Sequence, residues 1–202
     1  MRRLLFCGMM QPGLVKGYNM IELPPRRAAP IPLQIVGGLL GSGKTTFIQH
    51  QLDHDWAGEK LGLILCEEGV VKLDFSRTVE PRIKRLLNAC VCCEMAYTFF
   101  EVVVEFLRDP TVNRIVVEIT AQADVQQIFD FIRSSHLRDY LIFEPIHVLV
   151  DARNPHMRFD APAPMIRRLM EQADVFVLSF HDQAGARSFN PGAKPWRLSP
   201  TN

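Results

Sequence analysis

The stretch Gly38-Leu-Leu-Gly-Ser-Gly43-Lys44-Thr45 fits the pattern G-x-x-x-x-G-K-[ST] at every position. Few features restrict a fold as much, because this loop works only between a buried strand and the start of a helix. Both neighbours are legible. Leu33-Gln-Ile-Val-Gly37 is a short apolar run closed by glycine, as expected of a strand buried on both faces, and Thr45 to Leu52 reads as a helix. The residue types follow from phosphate chemistry. Gly38, Gly41 and Gly43 let backbone N–H groups turn inward towards phosphate oxygens. The helix N-terminus adds positive potential. Lys44 is expected to reach the β- and γ-phosphates, and the Thr45 hydroxyl to coordinate Mg²⁺. Together with Ser42 and Thr46, these residues are the expected seat of a nucleoside triphosphate.

Downstream, apolar runs and helical periodicities alternate. Leu61 to Cys66, Arg114 to Ile119, Pro145 to Val150 and Val175 to Ser179 read as further strands. Glu94 to Arg108 carries Met95, Phe99, Val102, Val103, Phe106 and Leu107 at helical spacing, with Phe99, Phe100 and Phe106 expected in the core. Asp124 to Ser134 and Ala163 to Gln172 complete the helices. The expected fold is α/β: a doubly wound, mainly parallel sheet with helices on both faces, of the P-loop NTPase kind. Ligands in such folds bind beyond the carboxyl ends of the strands. Glu118, near the end of its strand, would therefore face the phosphates and meet Mg²⁺ directly or through water.

Charge is divided unevenly along the chain. The net charge is +1, which provides no basic footprint for nucleic acid and no polybasic membrane signature. Residues 1–30 nevertheless hold Arg2, Arg3, Lys16, Arg26 and Arg27 against Glu22, and the last 22 residues hold Arg187, Lys194 and Arg197 against Asp182. Half of the 14 prolines lie in these two zones. The expected organisation is a flexible basic extension over 1–30, a nucleotide-binding domain over 31–182, and a disordered Pro/Gly-containing tail over 183–202. The opening Arg-Arg and short apolar stretch lack a clear cleavage site, and no run approaches a spanning helix, so a cytoplasmic protein is expected.

Cys90-Val-Cys92-Cys93 places three of the five cysteines within four residues, just before the helix at Glu94. Thiolates at this density suit a borderline-soft ion such as Zn²⁺. A tetrahedral site needs one more ligand, for which Glu67, Cys66, a histidine or water are available. A redox dithiol and small buried residues are the competing readings; an internal disulfide between adjacent cysteines is geometrically awkward. His50 and His54, four apart on the first helix, read as exposed surface residues.

A phosphate loop and a C-x-C-C run some fifty residues apart resemble the CobW-type metallochaperone GTPases, relatives of the urease and hydrogenase accessory GTPases. Cys66-Glu-Glu-Gly-Val-Val-Lys-Leu-Asp74, Val117-Glu-Ile-Thr-Ala-Gln-Ala-Asp124, Val148-Leu-Val-Asp151-Ala152 and Arg168 to Leu178 extend the likeness over residues 31–182. The resemblance implies Mg²⁺-dependent GTP hydrolysis coupled to zinc, or a related divalent metal, at Cys90, Cys92, Cys93 and Glu67. It also implies a client protein that receives the metal, and it makes Asp74 a further carboxylate for Mg²⁺. Three departures stand out. The family's Asn-Glu-Phe-Gly-Glu has become Cys66-Glu67-Glu68-Gly69-Val70, which loses the second glutamate. Ala121 replaces the switch glycine of Glu-x-x-Gly. The guanine motif Asn-Lys-x-Asp falls at Ser179-Phe180-His181-Asp182, so only Asp182 remains to accept from the guanine edge, with Phe180 stacking on the base in place of the lysine stem. ATP therefore stays open beside GTP. The family's smaller C-terminal domain is expected to be missing from these 202 residues. The alternative reading is a degenerate module that binds nucleotide or metal and hydrolyses little.

Overall fold

Ile31–Gly38 forms β1, and almost every residue of it is buried. The computed structural model describes residues 22–25, 27–66, 73–76, 79–86, 94–121, 128, 130, 132, 133, 135–153, 164–180 and 182. In the helices that begin at 94 and 164, side chains are described from Thr98 and Arg167 onward. After β1 come α1 (Lys44–Asp53), β2 (Leu61–Leu65), β3 (Arg82–Arg85), α2 (Glu94–Arg108), β4 (Arg114–Thr120), a 3-10 turn (His136–Asp139), β5 (Leu141–Phe143), β6 (His147–Asp151), α3 (Pro164–Glu171) and β7 (Val175–Ser179).

The strands make one seven-stranded sheet in the order β3-β2-β4-β1-β6-β7, with β5 also paired to β1. Every pairing is parallel. The chain leaves β1 in one direction for β2 and β3, returns to β4 beside β1, then builds β6 and β7 on the other side. The strand order thus reverses around β1, where open α/β sheets form their ligand crevice. Alternate side chains divide the core. Val36, Leu61, Leu63, Leu65, Val116 and Leu149 pack with Ile48, Leu52 and Trp56 of α1 and the turn after it. Leu33, Ile35, Ile115, Val117 and Ile119 pack with Phe99, Val103 and Phe106 of α2, with Ile128 and Ile132, and with Leu169 of α3. Helices cover both faces, as expected.

Three differences from the sequence reading have physical causes. β3 was not expected: Arg82-Ile-Lys-Arg85 lacks an apolar run because it is an edge strand. Arg82 pairs with Asp109 at 2.6 Å and Lys84 with Glu105 at 2.8 Å, so ion pairs to α2 and the turn after it hold one face, a common treatment of sheet edges. The strand expected from Pro145 begins at His147, and Leu141–Phe143 precedes it against the same edge of β1. Pro145 has no N–H to donate, which interrupts the ladder. Finally, residues 22–25 and 27, assigned to a flexible extension, pack on the domain. Leu23 is buried. Tyr140 donates its hydroxyl to the Pro24 carbonyl at 2.9 Å, and the Arg27 guanidinium donates to the carbonyls of Leu107 at 3.0 Å, Asp109 and Val112. A helix C-terminus presents unmet carbonyls that a cation satisfies well. Of the helix expected over 124–134, Ile128, Asp130, Ile132 and Arg133 are described and are helical.

Candidate nucleotide-binding site

The loop from Gly38 to Gly43 lies at the carboxyl end of β1 and opens directly into α1. Its glycines take positive φ angles: 154° at Gly38, 76° at Gly41 and 90° at Gly43. Gly38 is the most constrained. A Cβ there would meet Ser42 Oγ at 2.5 Å and the Leu149 carbonyl oxygen at 2.9 Å, so a side chain would collide with the loop and with β6. Gly43 caps α1 in a left-handed conformation without a side-chain hydrogen bond, and the first turn carries no acid. Neither a cap nor a carboxylate therefore competes for the positive end of the helix, an arrangement that favours a bound anion.

Lys44 is 3% exposed, and its ammonium donates to the carbonyls of Gly38 at 3.1 Å and Leu39 at 2.9 Å. The cation is thus folded onto the loop itself. Ser42 is 1% exposed, and its hydroxyl is the one buried side-chain polar atom without a hydrogen-bond partner among the described residues. Its backbone carbonyl accepts from Ser179 Oγ at 2.7 Å, which ties the loop to the end of β7. Thr45 is half-buried and Thr46 exposed.

Glu118 is 3% exposed on β4. It lies in register with Val36 on one side and Leu65 on the other, which places it on the α1 face of the sheet. It stands two residues beyond Val116, towards the carboxyl edge where the loop lies. Cys66 donates its N–H to the Glu118 carbonyl at 3.1 Å. A hydroxyl and a carboxylate of this kind are the hard oxygen donors that suit Mg²⁺; Thr45 and Glu118 are the residues that would hold the ion. Asp74 is exposed, outside any helix or strand, and lies against Gln49 of α1 rather than at the start of that helix. Its backbone forms a reciprocal pair with the Gln49 amide, both bonds at 2.8 Å, and its Oδ1 accepts from the Ser76 N–H at 2.9 Å.

At the other side of the loop, the ends of β6 and β7 form a second cluster. The Arg153 guanidinium stacks 3.6 Å from the centre of the Phe180 ring. It also donates to Asp151 through Nε at 3.0 Å and Nη2 at 2.9 Å. Phe180 is the one non-glycine residue with positive φ, 55°, among the described residues. A Cβ on Gly43 would lie 3.6 Å from its ring. The Arg153 hydrogen bond holds the Asp151 carboxyl below the usual carboxylate range. Asp182 is exposed and pulls electrostatically on the same guanidinium, more weakly than Asp151 does.

The sheet therefore brings the loop residues, Lys44 and Glu118 to one edge, with Phe180 beside Gly43. Cys90, Cys92, Cys93 and Glu67 lie outside the described residues. His50 and His54 stack ring on ring at 4.2 Å, with His54 Nδ1 2.8 Å from the His50 carbonyl. Arg153 was missed by sequence reasoning; its only local signal is the spacing Asp151-x-Arg153.

Residues 32–192 match the model of the CobW/HypB/UreG family, nucleotide-binding domain. The chain belongs to that family. A zinc chaperone CobW of Pseudomonas aeruginosa is 27% identical over 199 residues, 82% of this chain and 53% of that protein. The zinc chaperone YjiA of Escherichia coli is 30% identical over 131 residues, 61% of this chain and 41% of that protein. The crystal structure of Zn(II)-bound YjiA GTPase from E. coli superimposes with a TM-score of 0.56 at 23% identity, over 78% of this chain and 51% of that one. This CobW/HypB/UreG domain thus spans 53% and 41% of the two relatives' lengths. Among its described residues, no helix is long and apolar enough to cross a membrane.

Proposed function

We propose that this CobW/HypB/UreG domain is the nucleotide-binding unit of a Mg²⁺-dependent GTPase whose nucleotide state controls zinc at Cys90, Cys92, Cys93 and Glu67. The observation that carries the proposal is the uncapped, acid-free start of α1 behind a glycine-shaped loop, with Lys44 and Glu118 both buried at that edge. On triphosphate binding, Lys44 would leave the Gly38 and Leu39 carbonyls for the β- and γ-phosphates. There its charge, with the loop N–H groups, opposes the charge that builds on the transferred phosphoryl group. Mg²⁺ would add a Lewis acid at the same oxygens, with Thr45 and Glu118 as its protein ligands and Asp74 as a further carboxylate.

Zinc coupling rests on topology and on the named relatives. Cys66 follows β2 directly, and the Leu86 N–H bonds the Leu65 carbonyl at 2.8 Å at the end of β3. The chain towards Glu67 and the chain towards Cys90 thus leave the sheet at the edge that carries the phosphate loop. The zinc-chaperone relatives support delivery of the ion to a client protein. A second reading, a module that binds nucleotide but hydrolyses little, is favoured by Ala121 at the switch glycine and by Arg153 lying over Phe180.

Turnover of GTP and ATP with Mg²⁺, with and without Zn²⁺, tests the proposal against Lys44→Ala and a Cys90/Cys92/Cys93 triple serine variant. GTP turnover above the Lys44→Ala level is expected, as is zinc stoichiometry that falls in the triple variant. Turnover equal to that of Lys44→Ala would leave the binding module. Equal zinc in wild type and triple variant would remove the cysteines from the metal site.

A further inference from the structure

Two histidines one turn apart close the far end of α1. His50 lies in the last turn and His54 caps it. Residues four apart share a helix face, and the two rings stack with centres 4.2 Å apart and planes 18° from parallel. Both residues are exposed, yet the backbone beneath them is fixed. The Gln51 carbonyl accepts from the His54 N–H at 3.3 Å and the Trp56 N–H at 2.7 Å, the His54 carbonyl accepts from the Ala57 N–H at 3.1 Å, and Trp56 itself is buried. His54 Nδ1 stands 2.8 Å from the His50 carbonyl oxygen. A carbonyl only accepts, so Nδ1 carries the proton, and in the neutral ring Nε2 keeps its lone pair. Metal-ligating histidines are oriented in this way, through a hydrogen bond from the second ring nitrogen. The surroundings also favour a cation. Asp53 and Asp55 flank His54, and no Lys or Arg occurs between Lys44 and Lys60. The carboxyl end of a helix adds partial negative charge.

We propose that His50 and His54 form an exchangeable surface site for zinc, separate from the phosphate loop and from the cysteine run. Two nitrogens on one tetrahedral zinc, each about 2.1 Å from it, stand roughly 3.4 Å apart. Rings already stacked at 4.2 Å come to that spacing by a small turn about their side-chain torsions, which exposed residues make freely. Imidazole nitrogen is a donor that suits zinc. Among the described residues, no group of three or more His, Cys, Asp or Glu side chains is placed to hold a metal ion, so water fills the remaining positions. An ion with two protein ligands and open positions is held less tightly than one in a closed four-ligand site, and it is released by ligand exchange. The end of α1 is thus a docking point from which a stronger donor set takes the ion. This inference goes beyond the proposed function and does not depend on hydrolysis or on zinc at the cysteines.

Zinc titration calorimetry on the full chain tests this in the Cys90/Cys92/Cys93 triple serine background, which removes the cysteines from the reading. Thermal melts in chelator confirm that each variant is folded. Adding His50→Ala and His54→Ala together is expected to lower the zinc stoichiometry by one equivalent. Each substitution alone should weaken that equivalent by at least the about tenfold that loss of a supporting contact costs a metal site, since neither ring alone grips the ion. Zinc should also raise Tm in the triple serine protein, and the rise should vanish with the histidines. Equal zinc binding with and without the two histidines overturns the site, as does a folded triple serine protein that binds no zinc. Full affinity in either single variant overturns the shared site, because one imidazole would then suffice. Failure of the cysteine site is read separately, as equal zinc in wild type and the triple serine variant.

Discussion

Gly38 and Ser42 form a coupled pair beneath the phosphate loop, and a double-mutant cycle measures the coupling. In Gly38→Ala the new Cβ would lie 2.5 Å from Ser42 Oγ and 2.9 Å from the Leu149 carbonyl oxygen, at a φ of 154°. Overpacking of this kind costs about 1–3 kcal/mol, and the backbone angle a further ~1–3 kcal/mol. Reduced freedom of the unfolded chain returns about 0.5–1 kcal/mol. The net expectation is a loss of about 3 kcal/mol, or roughly 10 °C in Tm for a chain of this size.

Ser42→Ala acts in the opposite direction. It removes a buried hydroxyl that has no partner, so the protein is expected to gain about 1 kcal/mol. It also removes the nearer of the two obstacles to a side chain at position 38. The other obstacle stays, because Leu149 is held to Gly38 by the register of β1 with β6. The Gly38→Ala penalty should therefore shrink by about 1 kcal/mol in the Ser42→Ala background, the size of coupling seen between touching residues. Urea unfolding of the four proteins without nucleotide provides the cycle. Additivity within ~0.5 kcal/mol, or a Ser42→Ala protein less stable than wild type, would refute the packing described beneath the loop.

Two further outcomes test the rest of the fold. Arg27→Ala should lower stability by about 2 kcal/mol in denaturant unfolding, because it leaves several carbonyls at the end of α2 without their charged donor; unchanged stability would return residues 22–30 to a detached extension. Asp109 accepts from the Thr111 hydroxyl at 2.6 Å and its N–H at 2.9 Å, with Arg82 alongside, and these hold its carboxyl below the usual range. A depressed folded-state pKa adds stability that is present above about pH 4 and lost as pH falls below it. Asp109→Asn should accordingly flatten the acid limb of stability, measured as the urea midpoint between pH 6 and pH 2.5, and an unchanged limb would contradict the assignment.

What could be read from the sequence, and what could not, divides along the range of the interactions. β1, β2 and β4 were legible because strands buried on both faces must be continuously apolar, and α2 because its buried stripe repeats at helical spacing. The phosphate loop was legible because its chemistry prescribes residue types within eight consecutive positions. β3 was not, since its stabilising partners are acids in and just after α2, more than twenty residues away. Arg27 was not, since the helix end that it satisfies lies about eighty residues on. The site repeats the division. Gly43, Lys44 and Thr45 declare themselves locally, but the Arg153–Phe180 stack exists only because β6 and β7 are neighbours, so that their carboxyl ends place residues 27 apart in contact beside Gly43. It is therefore strand order, rather than any local run of residues, that sets the Arg153–Phe180 pair next to the phosphate loop.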